Sequence, residues 1–358
     1  MIEQLIRPEL RSYIPYDANQ QPYKVKLDAN ESPFNMPENV RIKLADYIRD
    51  NPELYLYPDS DSNELRNQLA EYWNINKDGI LVGTGSDQLI QVITNVFIGC
   101  EDKVLFPAPS FSMYKDACII AGGIPIKYTL GIDNGYSYSK ELIKQAYDEE
   151  HPKLVYICNP NNPTGNIMSK EDVLDIVRYC NKAIVIVDEA YAEFCDVSVI
   201  PYINQYENLL VLKTFSKAYG LAGLRCGYSL SCDKLAKAVK IAKPPYNISS
   251  LSQKIAMLIF EEQKDIQSKI DYLNSERDWL SVEISKIDGV KVYPSYANFL
   301  LVKIENSVEV YKKLCEKGIF VRSFGTNPLL YDCLRLSIGT HEQNTILLDE
   351  LISICYNK

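Results

Sequence analysis

Histidine is nearly missing from this sequence: only His151 and His341 occur among 358 residues. Each lies in a polar, loop-like stretch without a second ligand at metal-binding spacing, so no metal site is expected. Lys and Arg nowhere cluster into a basic face, and the formal net charge is -9, which argues against a nucleic-acid partner. No apolar run approaches the ~18 residues of a membrane span, and no basic region followed by an apolar one opens the chain. The expectation is a cytoplasmic location without membrane contact. Ten cysteines occur, but no Cys-x-x-Cys pair. Cys158, Cys180, Cys226 and Cys333 sit inside apolar runs and read as reduced core residues. Internal repeats and low-complexity segments are absent as well.

What is present is enough apolar sequence, 46%, for two domains or one large domain with an appendage. Residues 1–33 form an aromatic-rich arm spaced by Pro8, Pro15 and Pro22; unable to pack alone, it is expected to lie against the small domain and a neighbouring subunit. Residues 34–245 alternate short apolar runs with helical periodicities. The stretch 63–73 places Leu65, Leu69 and Tyr72 on one helical face, and strands are predicted at 79–83, 103–106, 153–158, 183–187, 209–213 and 226–230. The turn at residues 84–87 opens a helix carrying Leu89, Ile90, Ile93, Val96 and Phe97. Ser169, with Asp172 three residues later, opens another in a capping-box arrangement. Apolar strands of about five residues alternating with helices define an α/β fold, a mostly parallel sheet covered on both faces. Ligands of such a sheet bind beyond the carboxyl ends of its strands. Lys243-Pro244-Pro245 breaks the pattern, and residues 246–358 read as a smaller α+β domain, beginning with a bent helical stretch at 248–287.

The chemically interesting residues fall just after predicted strands. In the stretch 211–225 an apolar run feeds a turn bearing Thr214 and Ser216, then Lys217, then Arg225. A lysine crowded beside another cation loses affinity for its proton and becomes a nucleophilic amine able to form a Schiff base. The two hydroxyls and the arginine fork can bind a phosphate with charge assistance. Together they describe pyridoxal phosphate anchored beside its lysine, although a lone lysine is more often a solvated charge. Asn-Pro-Asn-Asn-Pro-Thr-Gly at 159–165 is either a functional loop or a merely turn-rich one. Asp188 closes an apolar run and is either a chemical group or the cap of the next helix. Arg335 interrupts another apolar strand, which is costly unless it pairs with an anion, structural or substrate.

Asn-Pro-Asn-Asn-Pro-Thr-Gly, Val-Asp-Glu-Ala-Tyr and Thr-Phe-Ser-Lys-Ala-Tyr-Gly-Leu-Ala-Gly-Leu-Arg-Cys-Gly-Tyr, in that order, resemble the fold-type I pyridoxal-phosphate aminotransferases, and within them the histidinol-phosphate branch. The likeness runs from Ile6-Arg7-Pro8-Glu9-Leu10 to the stretch 334–340. It implies a sheet of the seven-stranded type and a homodimer with shared active sites. The implied reaction converts L-histidinol phosphate and 2-oxoglutarate to imidazole-acetol phosphate and L-glutamate in two stages. Aromatic amino-acid transamination and O-phosphothreonine decarboxylation are the competing activities on the same framework. By this resemblance Lys217 holds the cofactor and shuttles a proton, Asp188 pairs with the pyridine nitrogen, and Asn162 and Tyr191 bond the ring's phenolic oxygen. Phe111 matches the ring-stacking aromatic, where many relatives carry Tyr or Trp. Gly85, Ser86 and Asp87 open the helix whose N-terminus receives the cofactor phosphate. Thr214, Ser216 and Arg225 complete that cradle, and Tyr57 reaches it from the other subunit. Arg335 and Arg322 bind the anionic groups of the substrates, and Tyr16 and Asn30 close over them.

Overall fold

The structure is a computed structural model that describes residues 1–11, 13, 21–50 and 52–356; Tyr16 lies outside the described residues. Twelve strands form among them: β1 (Val25–Leu27), β2 (Ile80–Gly83), β3 (Lys103–Ala108), β4 (Ile124–Thr129), β5 (Leu154–Cys158), β6 (Ile184–Asp188), β7 (Leu209–Thr214), β8 (Gly227–Ser231), β9 (Val290–Val292), β10 (Phe299–Ile304), β11 (Ile319–Ser323) and β12 (Cys333–Ser337). Seven of them make one sheet in the order β2-β8-β7-β6-β5-β3-β4. Its pairs are parallel except those of β8, which runs antiparallel to β2 and β7. The remaining five make a second sheet, β1-β11-β12-β10-β9, in which only β1 and β11 are parallel.

Central strands β5, β6 and β7 are apolar nearly throughout because helices cover both faces. On one face Leu89, Ile90 and Ile93 of the helix Gly85–Phe97 and Tyr114 of the helix Met113–Ala121 pack over Tyr156, Ile186 and Leu212. On the other, Val173, Ile176 and Val177 of the helix Lys170–Tyr179 pack with Val155, Val187 and Val211 in a core that continues into the second sheet. Strand alternation therefore sends Asp188 to the first face and Lys213 to the second.

Several elements go beyond or against the sequence expectations. Strand β4 carries Pro125 and Lys127, tolerable because it lies at the sheet edge. The helix Asn63–Trp73 buries Leu65 and Leu69, but Tyr72 is half exposed, its ring edge-on to Phe260 at 4.7 Å. Arg66 is buried instead, donating to the Lys77 carbonyl at 2.8 Å and pairing with Asp78 at 3.1 Å. Ser169 caps its helix by accepting from the Asp172 amide, while the Asp172 carboxylate takes the serine hydroxyl rather than returning to the backbone. The bend expected within 248–287 falls between the helices Ser250–Phe260 and Gln263–Ser285. All ten cysteines are free thiols, and Cys158, Cys180, Cys226 and Cys333 are buried. No helix among the described residues is long and apolar enough to cross a membrane.

Candidate active site

Strands β6 and β7 deliver Asp188 and Thr214 at their carboxyl ends, and the chain beyond β5 delivers Asn162. The second sheet supplies Arg322 and Arg335, which face each other in the β11–β12 register. Residues 28–30, just past β1, bridge the two sheets. Arg335 donates to the Asp28 carbonyl at 2.5 Å and Lys217 Nζ donates to the Ala29 carbonyl at 2.9 Å. Asn30 Nδ2 donates to the Tyr191 hydroxyl at 2.9 Å, and Asn30 Oδ1 accepts from Ser337 at 2.9 Å. Asn30 holds a left-handed φ of 54, a conformation that Asn tolerates better than most residues.

Asp188 is 3% exposed. Its Oδ1 accepts from the Ala190 amide at 3.1 Å and its Oδ2 from the Tyr114 hydroxyl at 2.6 Å. No salt bridge among the described residues reaches it, so burial raises its carboxyl to about 6 in spite of those two bonds. Lys217 is half-buried, with Nζ 5.8 Å from the centre of the Tyr191 ring. Burial first, then the positive Arg335, push its amine down to about 8. Burial raises Tyr191 to about 12, against the pull of Arg335 and of the Asn30 bond. Because that hydroxyl accepts from Asn30, its own proton remains available to donate. Likewise Asn162 Oδ1 accepts from Arg335 at 2.7 Å, which turns its amide Nδ2 toward another acceptor.

An anion cradle lies at the helix Gly85–Phe97. The Thr84 hydroxyl donates to the Asn247 carbonyl at 2.5 Å and makes no cap bond, so first-turn amides stay available. Gly85 has φ +75, and a Cβ there would sit 2.7 Å from an Arg225 guanidinium nitrogen. A Cβ on Gly227 would meet the Ser86 amide nitrogen at 2.5 Å. Both glycines hold open space around the amides. Arg225 pairs with Asp87 at 2.7 Å and reaches the Ser216 hydroxyl at 3.4 Å, while Thr214 accepts from the Ser216 amide at 3.1 Å.

Lys217, Tyr191, Asn162, Asn30 and Arg335 are thus joined by contacts, with Arg322 in register beside the last, and Asp188 acts on Tyr191 through its charge. Phe111 is linked through Tyr114, edge-on at 5.8 Å. Tyr57 is not brought in: it is 81% exposed and stacks on Tyr246 at 4.6 Å. Tyr114 was invisible in the sequence, since its partner lies 74 positions away. Lys213 and Glu189 pair at 3.7 Å, and the signal in the sequence is a lysine in an apolar strand beside the acid motif.

The topology is that of the fold-type I transferases. More narrowly, the chain belongs to the family of class I and II aminotransferases, whose model matches residues 22–351. The histidinol-phosphate aminotransferase of Ruminiclostridium cellulolyticum is 60% identical over 358 residues, 100% of both chains. That of Caldanaerobacter subterraneus subsp. tengcongensis is 42% identical over 354 residues, 99% of each. Among solved structures, the histidinol-phosphate aminotransferase from Sinorhizobium meliloti in complex with pyridoxal-5'-phosphate is similar at a TM-score of 0.89 and 23% identity, over 98% of this chain and 97% of that one.

Proposed function

We propose that this protein is a pyridoxal-phosphate-dependent aminotransferase exchanging the amino group of L-histidinol phosphate with 2-oxoglutarate, and that it works as a cytoplasmic homodimer. The observation that carries the reading is Asp188, a buried carboxylate with no salt bridge among the described residues, at the carboxyl end of β6, beside the end of β7 that leads to a lysine amine held at about 8. That pairing fits a ligand with a basic ring nitrogen and an aldehyde. The full-length relative at 60% identity supports the choice of substrate.

When bound, pyridoxal phosphate supplies an electron-withdrawing ring conjugated to the reacting carbon of the substrate. Asp188 would keep a proton on the ring nitrogen, and a carboxylate penalised for its charge gains most from a cationic partner. Amides of Gly85, Ser86 and Asp87, the Thr214 and Ser216 hydroxyls and Arg225 would hold the phosphate. Asn162 Nδ2 and the Tyr191 hydroxyl would donate to the phenolic oxygen, and Phe111 would cover a ring face. The Lys217 amine takes the proton from the substrate α-carbon, work suited to a base whose pKa lies near the operating pH. Arg335 and Arg322 would bind the glutamate carboxylate and the histidinol phosphate ester in turn, with Asn30 and Tyr16 closing over the substrate.

Tyr57, exposed and stacked, suits a residue that completes a partner's site and supports the homodimer. Ten free cysteines support the cytoplasm. A division into arm (1–33), large domain (34–245) and small domain (246–358) agrees with the two sheets, and β1 ties the arm to the smaller one. The test is an absorbance titration of cofactor-loaded protein with L-histidinol phosphate, phenylalanine and O-phosphothreonine, without keto acid. Conversion at the lowest concentration by histidinol phosphate is expected. A win for phenylalanine would transfer the reading to an aromatic aminotransferase, and carbon dioxide from O-phosphothreonine would transfer it to a decarboxylase.

A further inference from the structure

Asp188 is held by one donor on each carboxylate oxygen: the Ala190 amide on Oδ1 at 3.1 Å and the Tyr114 hydroxyl on Oδ2 at 2.6 Å. Rotation about the Cβ–Cγ bond would break both. A carboxylate offers about four lone-pair sites, so this clamp leaves acceptor positions for a ligand while fixing the plane in which they lie. The phenol cannot wander, because Tyr114 is fully buried, its ring stacked on Tyr156 at 4.5 Å and 19°. Its edge meets Phe111 at 5.8 Å and 84°. One side chain in the first turn of the helix Met113–Ala121 therefore links the acid with the aromatic assigned to the cofactor ring face.

We propose that Tyr114 is a positioning residue for the transamination, whose hydroxyl sets the plane of the Asp188 carboxylate and ties it to the place of the Phe111 ring. The functional half of this proposal rests on the cofactor reading above; the clamp itself does not. Other titratable groups surround the acid: Cys158 from β5, Lys213 from β7, Asp87 from the helix Gly85–Phe97, and Tyr191. Among them and Tyr114, only Tyr114 gives the carboxylate a hydrogen bond. Burial and the neighbouring Asp188 charge raise the phenol well above its ordinary range, so it stays a donor at working pH.

Tyr114→Phe keeps the stacked ring and removes the donor alone. Tyr156→Phe is its control, since the Tyr156 hydroxyl lies 3.3 Å from Thr94 and has no bond to Asp188. In cofactor-free protein, the Asp188 titration midpoint, followed as the pH dependence of unfolding free energy, should rise by about one unit in Tyr114→Phe and stay put in Tyr156→Phe. In loaded protein, kcat should fall roughly ten- to hundred-fold with little change in KM, and the pH at which the cofactor absorbance changes should shift. Identical titration midpoints in the two variants, or an unaltered kcat and cofactor spectrum in Tyr114→Phe, would overturn the proposal. A wild-type protein that takes up no pyridoxal phosphate would sink the function instead, and the cofactor-free titration would still decide the clamp.

Discussion

Lys213 and Lys217 stand four residues apart in sequence and hold their protons in opposite ways. Lys213 is 2% exposed, under the Trp73 ring at 5.5 Å, with Glu193 at 2.8 Å and Glu189 at 3.7 Å. Burial works against its charge, yet the two carboxylates outweigh it and the proton is held more tightly than usual. At Lys217 burial and then the positive Arg335 outweigh the more weakly acting Glu31 and Asp87 and bring the amine down to about 8. The adjacent acids differ in their partners rather than in direction. Glu189 has a cation beside it, bonds from Ser198 and the Val199 amide, and 1% exposure; Asp188 is as deeply buried with no salt bridge among the described residues, and burial raises both carboxyls. One face of the sheet neutralises its own charges and is structural. The other leaves them unbalanced, which is what a charged ligand can exploit.

Five substitutions sharpen or break this contrast. Lys217→Ala should cost about 10^4-fold or more in turnover of histidinol phosphate, whereas Lys213→Met should keep turnover per folded molecule within a few-fold; equal inactivity would erase the distinction. Lys213→Met should instead lose about 3–5 kcal/mol in urea unfolding, because Glu189 and Glu193 are left buried without their cation. Adding Glu189→Gln should recover part of that loss. Arg322→Gln should raise KM for histidinol phosphate about ten- to hundred-fold and that for glutamate less; an equal rise would remove its phosphate role. Tyr246→Ala takes away the ring beneath Tyr57 and should weaken cofactor retention several-fold, about what one aromatic stack provides, as read by equilibrium dialysis.

The reactive face was legible because its groups end apolar strands. Asp188 at the end of β6, Thr214 at the end of β7 and Lys217 just beyond it stand where a parallel sheet presents ligands, and their neighbours form contiguous motifs. The structural face was not. The pair Lys213–Glu193 joins β7 to the short helix beyond β6, Tyr114–Asp188 joins a helix to a strand 74 positions on, and Arg66 enters the core to serve the Lys77 carbonyl. Such partnerships exist only after packing. Alternation in β7 already gave Lys213 the same face as Val211, a hint of a buried cation. Tyr57 was legible only through resemblance, and its ring stacks on Tyr246 of the same chain.

The most direct test compares urea unfolding of cofactor-free wild-type protein and Asp188→Asn from pH 4 to 7.5. With the folded carboxyl at about 6 against an ordinary 3.8, the native state binds the extra proton between those values, so wild-type stability falls as pH rises through that window. Asn does not titrate, so the variant should gain on wild type by up to about 3 kcal/mol between pH 4 and 7, and saturating pyridoxal phosphate should shrink the gain. A difference that stays flat with pH, or that grows in favour of wild type, would show that the fold holds no unbalanced charge at Asp188.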